Sequence, residues 1–325
     1  MDRSNNTMTA IGGYFNIELC NGESYHKDAI ELNTARNAFE YILRAYNYSK
    51  VILPYYTCEV MLEPLEKLHI PYEFYHIDEY FKPTFNKELD INEAFVYTNY
   101  WGICDSTIKS LRKKYQNLIV DNTQAFYSKP LENTPTFYSA RKFFGVSDGA
   151  YLYCEKKLDT KFEQDISCNR MSHLLKRLDL SAEEGYKDFQ QNNATLKNQP
   201  IKTMSKLTKA ILSSIDYSSI AEKRRDNFEF LHSKLREINE LKFDLDNISV
   251  PMIYPFLLKS ETLKQELINN KIYVATYWPM VKEKAPHNSF EQYLYQYLLP
   301  LPVDQRYSLE DINNYLTILT ELLKQ

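Results

Sequence analysis

Val120-Asp121-Asn122-Thr123-Gln124-Ala125, then Phe137-Tyr138-Ser139-Ala140-Arg141-Lys142-Phe143-Phe144-Gly145, then Asp148-Gly149: the character of the chain is decided on this stretch. Leu118-Ile119-Val120 is an apolar run of strand length, and an aspartate ends it. An acidic side chain at the carboxyl end of a strand stands where open α/β sheets place their ligands. A second strand-like run follows, and Lys142 comes just after it, flanked by aromatics and followed by glycines.

The same rhythm extends upstream. Asn33-Thr34 offers N-cap chemistry for a helix with Ala38, Tyr41, Ile42 and Ala45 at three-to-four spacing. Val51-Ile52-Leu53-Pro54 reads as a buried strand, and a helix through Val60, Met61, Leu65 and Leu68 follows. Residues 72–77 and Ala94-Phe95-Val96-Tyr97 are strand-like, and 108–115 is helical. Strands alternating with helices predict an α/β layer with a mainly parallel sheet. Residues 159–241 turn helical and polar. Then 250–258 and Ile272-Tyr273-Val274 read as strands, with a helix over 261–270 between them and a terminal helix over 309–323. The expected division is a large α/β domain, 1–215, and a small α+β domain, 216–325.

Composition removes several function classes. The 325 residues are 44% hydrophobic and 25% charged, which is globular and long enough for two domains. A net charge of −4 gives no reason to expect nucleic acid or an anionic membrane surface as partner. The dense basic cluster Lys223-Arg224-Arg225 sits in a helical pattern and reads as a solvated helix face. The polar start, Met1-Asp2-Arg3-Ser4-Asn5-Asn6, lacks the apolar core of a signal peptide, and no run approaches the ~18 apolar residues of a membrane helix. Five scattered cysteines without C-x-x-C spacing fit free thiols in a reducing cytoplasm. Six histidines form no paired ligand spacing, so no metal is expected. Glycine is scarce, and its retention at Gly102, Gly145 and Gly149 suggests that the backbone requires it there.

A lysine and a strand-end aspartate in this order suit pyridoxal 5′-phosphate (PLP). The lysine amine attacks the cofactor aldehyde, and neighbours such as Phe143 and Phe144 would desolvate it toward a nucleophilic amine. A carboxylate facing the pyridine nitrogen keeps that nitrogen protonated, so the ring can accept electrons. The phosphate needs a helix N-terminus, which Leu32-Asn33-Thr34-Ala35 supplies, and Ser139 could add a hydroxyl. Gln124 stands where it could reach the phenolic oxygen. Taken singly, each residue has a plainer reading: surface lysine, strand-end cap, core tryptophan.

The order Asn33-Thr34-Ala35, Leu53-Pro54-x-x-Thr57, Asn99-Tyr100-Trp101-Gly102, Asp121-x-x-Gln124-Ala125, Ser139-x-x-Lys142 and Asp148-Gly149 resembles the DegT/DnrJ/EryC1 group of fold-type I PLP enzymes. Arg224-Arg225-x-Asn227-Phe228 and 300–307 extend the resemblance over most of the chain, although only the Asp-x-x-Gln and lysine parts are specific. The resemblance implies a homodimer that transfers an amino group from glutamate to a nucleotide-linked keto-sugar destined for a surface polysaccharide. It makes Lys142 the Schiff-base lysine, Asp121 the ring-nitrogen partner, Gln124 the residue near the phenolic oxygen, and Thr34 and Ala35 the phosphate-binding backbone. Cys58 stands where the family stacks an aromatic on the cofactor, with Tyr55, Tyr56 or Trp101 as substitutes. Ser139 lies closer to the lysine than the family's serine does, Gly185-Tyr186-Lys187 replaces a Gly-Tyr-Asn, and the chain is shorter than typical members. Two other readings stay open: a PLP lyase or aldolase of the same fold, and a non-catalytic binding or regulatory protein. A nucleotide-binding transferase without PLP is disfavoured by the absence of G-x-G-x-x-G and P-loop motifs.

Overall fold

The apolar runs form strands because both of their faces are covered. In β2 (Lys50–Pro54), β4 (Glu93–Thr98) and β5 (Leu118–Asn122), Val51, Leu53, Ala94, Val96 and Ile119 point to one side, and Ile52, Phe95, Tyr97, Leu118 and Val120 to the other. Continuous apolar runs of this kind belong to parallel strands roofed on both faces. The computed structural model describes residues 11–243 and 248–324; the polar Met1–Asn6 stretch lies outside them.

Seven strands form the main sheet in the order β1-β7-β6-β5-β4-β2-β3, completed by β1 (Ile30–Leu32), β3 (Tyr72–Tyr75), β6 (Thr136–Ser139) and β7 (Ala150–Tyr153). Only β7 runs against its neighbours; the pairs β3–β2, β2–β4, β4–β5 and β5–β6 are parallel. Helices α1 (Ala35–Tyr46) and α2 (Leu62–Lys67) lie on one face. On the other, α3 (Asp105–Lys114), α6 (Lys206–Ser213) and α7 (Tyr217–Leu235) pack with the C-terminal segment. Tyrosines fill much of that second core and donate to backbone carbonyls, as Tyr75 does to Val96 O at 2.9 Å and Tyr97 to Phe81 O at 2.8 Å.

Between the sheet and α6, α4 (Ser172–Asp179) and α5 (Ala182–Thr195) form a hairpin; the helical stretch therefore begins at Ser172, later than the sequence suggests. The C-terminal segment pairs β8 (Ile253–Leu257) with β9 (Leu298–Pro302) antiparallel, with α8 (Leu263–Asn269), α9 (Met280–Lys284), α10 (Phe290–Tyr297) and α11 (Leu309–Leu322) around them. Ile272-Tyr273-Val274 is not a strand. Its in-out-in burial mimics one, with Ile272 and Val274 buried and Tyr273 exposed, but no strand among the described residues pairs with it.

Arg224 corrects a second expectation. It is 2% exposed, on the apolar stripe of α7 with Ala221, Phe228, Leu231 and Leu235. Its guanidinium donates to Pro251 O, Met252 O, Phe143 O and Gln305 Oε1 at 3.0–3.3 Å and lies over the Phe143 ring. Such a fork of donors satisfies several buried carbonyls at once, so a cation is tolerated inside.

Candidate active site

Asp121 occupies the carboxyl end of β5, 4% exposed, beside Thr98 of β4 in the parallel register. The turn that follows folds back on it: the Thr123 N–H donates to Asp121 Oδ1 at 2.8 Å. Burial raises the carboxyl's pKa, against the lowering pull of the Lys142 amine and of Thr123. Gln124 is 1% exposed, and neither atom of its amide has a partner among the described residues. A buried amide left without bonds is costly and calls for a partner supplied from outside the chain.

Lys142 ends a short 3-10 turn, Ala140–Lys142, directly after β6. Lys142 is exposed as a residue, while its amine donates to the buried Thr123 Oγ1 at 3.0 Å. The surrounding protein strips water from the amine. That desolvation outweighs the opposing pull of Asp121 and Cys58, and Arg141 adds repulsion, so the amine is held below the usual lysine range. Cys58 stands at the start of a 3-10 turn after β2, and burial, with Glu59 beside it, pushes its thiol up to about 11.

The N-terminus of α1 is brought to the same place by a relay of backbone bonds. Gly149 N donates to Asn33 O at 2.7 Å, and Ala140 N donates to Gly149 O at 3.0 Å. Gly149 has φ of 101°, and a Cβ there would lie 2.9 Å from Thr208 Cγ2, so glycine is needed on both counts. Gly145, by contrast, has neither a positive φ nor any atom near a Cβ, so nothing in the backbone requires glycine there. Thr34 caps α1 by accepting Asn37 N at 3.2 Å, which leaves the N–H groups of Ala35 and Arg36 without acceptors among the described residues. Arg141 is electrostatically coupled to Arg36. Burial first, and then that like charge, bring its guanidinium down to about 10.

Trp101 follows β4 in a left-handed conformation, φ 50°, and is fully buried against Phe81, Tyr100 and Tyr277 with its indole N–H unpaired among the described residues. Ser139 is buried at the end of β6. A cleft of about 650 Å3, lined in part by Lys109, Tyr127 and Arg225, contains none of these residues.

No protein-family model and no curated protein matches this sequence. Solved structures do. A DegT DnrJ EryC1 StrS aminotransferase from Brucella abortus is 13% identical, with 90% of this chain covered, 85% of that one, and a TM-score of 0.60. Sugar aminotransferase CalS13 from Micromonospora echinospora is 12% identical over 89% of this chain and 86% of its own, TM-score 0.61. NtdA from Bacillus subtilis, solved with bound cofactor PMP, is 15% identical over 91% and 73%, TM-score 0.63. The chain has their fold.

Within this fold, Lys142, Asp121 and Cys58 are gathered, with Gln124 on the Asp121 turn and the Thr34-Ala35 helix start tied to the lysine turn. Of the aromatic substitutes, Tyr55 packs on Phe74, ring centroids 4.9 Å apart, and Tyr56 on Trp278 at 4.6 Å. Tyr186 and Lys187 stand on α5, with Tyr186 exposed. Thr123 and Arg141 were missed by sequence reasoning. Thr123 was embedded in a motif read only at its ends, and Arg141 next to a lysine looks like ordinary surface charge.

Proposed function

We propose that this protein is a PLP-dependent aminotransferase that moves an amino group from glutamate to a nucleotide-linked keto-sugar. The observation that carries the reading is the joining of the Lys142 amine and the buried Asp121 carboxyl through Thr123, at the ends of two parallel strands. The residues present fit the cofactor: the unpartnered Gln124 amide asks for a polar ring substituent, and the free N–H groups of α1 ask for an anion. The likeness to sugar aminotransferases supports the acceptor class, and the motif resemblance supports glutamate as donor.

When bound, PLP supplies an aldehyde that condenses with amines and a ring that accepts the electron pair of a broken Cα–H bond. Lys142 would hold it covalently, and the lowering of its pKa by desolvation favours the neutral, nucleophilic form of the amine. Asp121 would keep the ring nitrogen protonated. Ala35, Arg36 and Arg141 would hold the phosphate, with Ser139 beside the lysine turn. A freed Lys142 amine is suited to take a proton from the donor's α-carbon and return it. Trp101 and Cys58 would wall the ring, Cys58 without the stacking area of an aromatic.

A homodimer is part of this reading, supported by exposed Tyr14 and Phe15 near the N-terminus and Leu178 and Leu180 on the α4–α5 hairpin. Cytoplasmic residence is supported by five cysteines that are all unpaired.

Protein purified with PLP is expected to absorb in the visible and to carry a borohydride-stable adduct on Lys142 that Lys142→Ala lacks. Glutamate should change the spectrum, and a nucleotide-linked keto-sugar should restore it while gaining an amine detectable by mass. Colourless protein that takes up no PLP would sink the proposal.

A further inference from the structure

The turn after β5 holds both reactive groups through a single residue. The Thr123 backbone N–H donates to Asp121, its hydroxyl oxygen accepts from Lys142 Nζ at 3.0 Å, and the residue is 7% exposed. Among the described residues, Thr123 is the only hydrogen-bond partner of the Lys142 amine. A lysine stem has four rotatable carbons, so an amine without a tether samples many positions, and an oriented one reacts faster. The groups facing the amine are Asp121 and Cys58, which favour the ammonium, and Arg141, which opposes it. A hydroxyl adds a contact of a different kind. It accepts a charge-assisted bond from the ammonium, donates more weakly to the neutral amine, and carries no charge that would lock the proton on.

We propose that Thr123 is a positioning residue for Lys142: its hydroxyl fixes the amine beside Asp121, aims it at an incoming aldehyde, and receives it again whenever it is released. The proposal rests on the PLP reading above and extends it to a residue that no motif named.

Two measurements on Thr123→Val, Thr123→Ala and Thr123→Ser test it. In cofactor-free protein, the pH dependence of Lys142 acetylation, followed by mass spectrometry, reports how the amine is held. In a second arm, the growth of visible absorbance after mixing with PLP reports its capture. Thr123→Val should move the labelling midpoint to lower pH and slow capture about tenfold, the usual scale for losing a hydrogen bond to a charged group. Thr123→Ala should do the same, and it decides the matter if the valine variant does not fold. Thr123→Ser should stay close to wild type in both. A labelling midpoint unmoved in Thr123→Ala, which a purely structural role predicts, overturns the Thr123 assignment. Wild-type protein that captures no PLP overturns the cofactor reading instead.

Discussion

At the scale of single residues, the site is built from two groups whose proton affinities burial pushes in opposite directions. Asp121 is raised mainly by burial and Lys142 lowered by it, and each partly compensates the other. Asp121→Asn keeps the shape and can still accept the Thr123 N–H, but removes the charge that would hold a proton on the ring. Amine exchange with glutamate should fall on the order of a hundredfold, the scale of losing one preorganised electrostatic partner. The Lys142 borohydride adduct should persist; an Asp121→Asn enzyme with unchanged turnover would remove Asp121 from the mechanism. Cys58 gives a pH signature of its own. Its thiol is raised from the ordinary range to about 11, so the folded state binds the proton more tightly than the unfolded chain. That contribution to stability is present below the unfolded value and is lost as pH rises through the folded one. Alkylation should therefore label exposed Cys20 and Cys168 well before Cys58, which should resist until pH nears 11. Rapid labelling of Cys58 near neutrality would contradict the burial argument.

Secondary-structure elements decide which of these residues meet, and here the sequence was legible in proportion to how local the cause was. The strands β2, β4 and β5 announced themselves as apolar runs because both faces are buried, and α1 announced itself through the Thr34 cap. Ile272-Tyr273-Val274 misled because alternating burial is a property of any extended segment on a core, whereas a strand also needs a paired neighbour. β1 and β7 stayed unread, since Ile30–Leu32 is too short to show periodicity and its antiparallel partner is set by tertiary pairing. The Asn33–Gly149–Ala140 relay was equally hidden, being backbone to backbone across more than a hundred residues. Gly149→Ala tests that relay. With φ at 101° and Thr208 in the way, the substitution should cost about 1–3 kcal/mol in urea denaturation. Because the α1 end would shift against the lysine turn, PLP affinity should fall with it. Loss of stability without loss of affinity would separate the relay from the phosphate site. Thr34→Ala should cost about 1 kcal/mol through the lost cap.

At the scale of the whole molecule, one buried arginine links the lysine turn to the segment assigned to the small domain. Residue 215 falls between α6 and α7, and the boundary expected there is a proposal that Arg224 bears on directly. Arg224 donates from α7 to Phe143 O, one residue after Lys142, and to the carbonyls of Pro251 and Met252 before β8. Gln305, which accepts from Arg224, also donates to Phe143 O at 2.8 Å. A run of three basic residues looks like solvated surface, whereas Arg224 alone of the three stands on the stripe that Phe228, Leu231 and Leu235 share. Burial brings the guanidinium down to about 10, still charged at neutral pH. Arg224→Met would fill the volume but strand the carbonyls of Pro251 and Met252, each costing about 1–3 kcal/mol when left unpaired in the interior, partly relieved by water, while Phe143 O keeps Gln305 as its donor. We therefore expect a net loss of about 2–4 kcal/mol in denaturant unfolding. Arg224→Lys should recover little of it, because one ammonium cannot reach carbonyls on two sides of the clamp. If the clamp orients the lysine turn, Arg224→Met should also slow PLP capture even under conditions where the protein remains folded. Unchanged capture in folded Arg224→Met protein would confine Arg224 to stability and leave the orientation of Lys142 to Thr123 and the Gly149 relay.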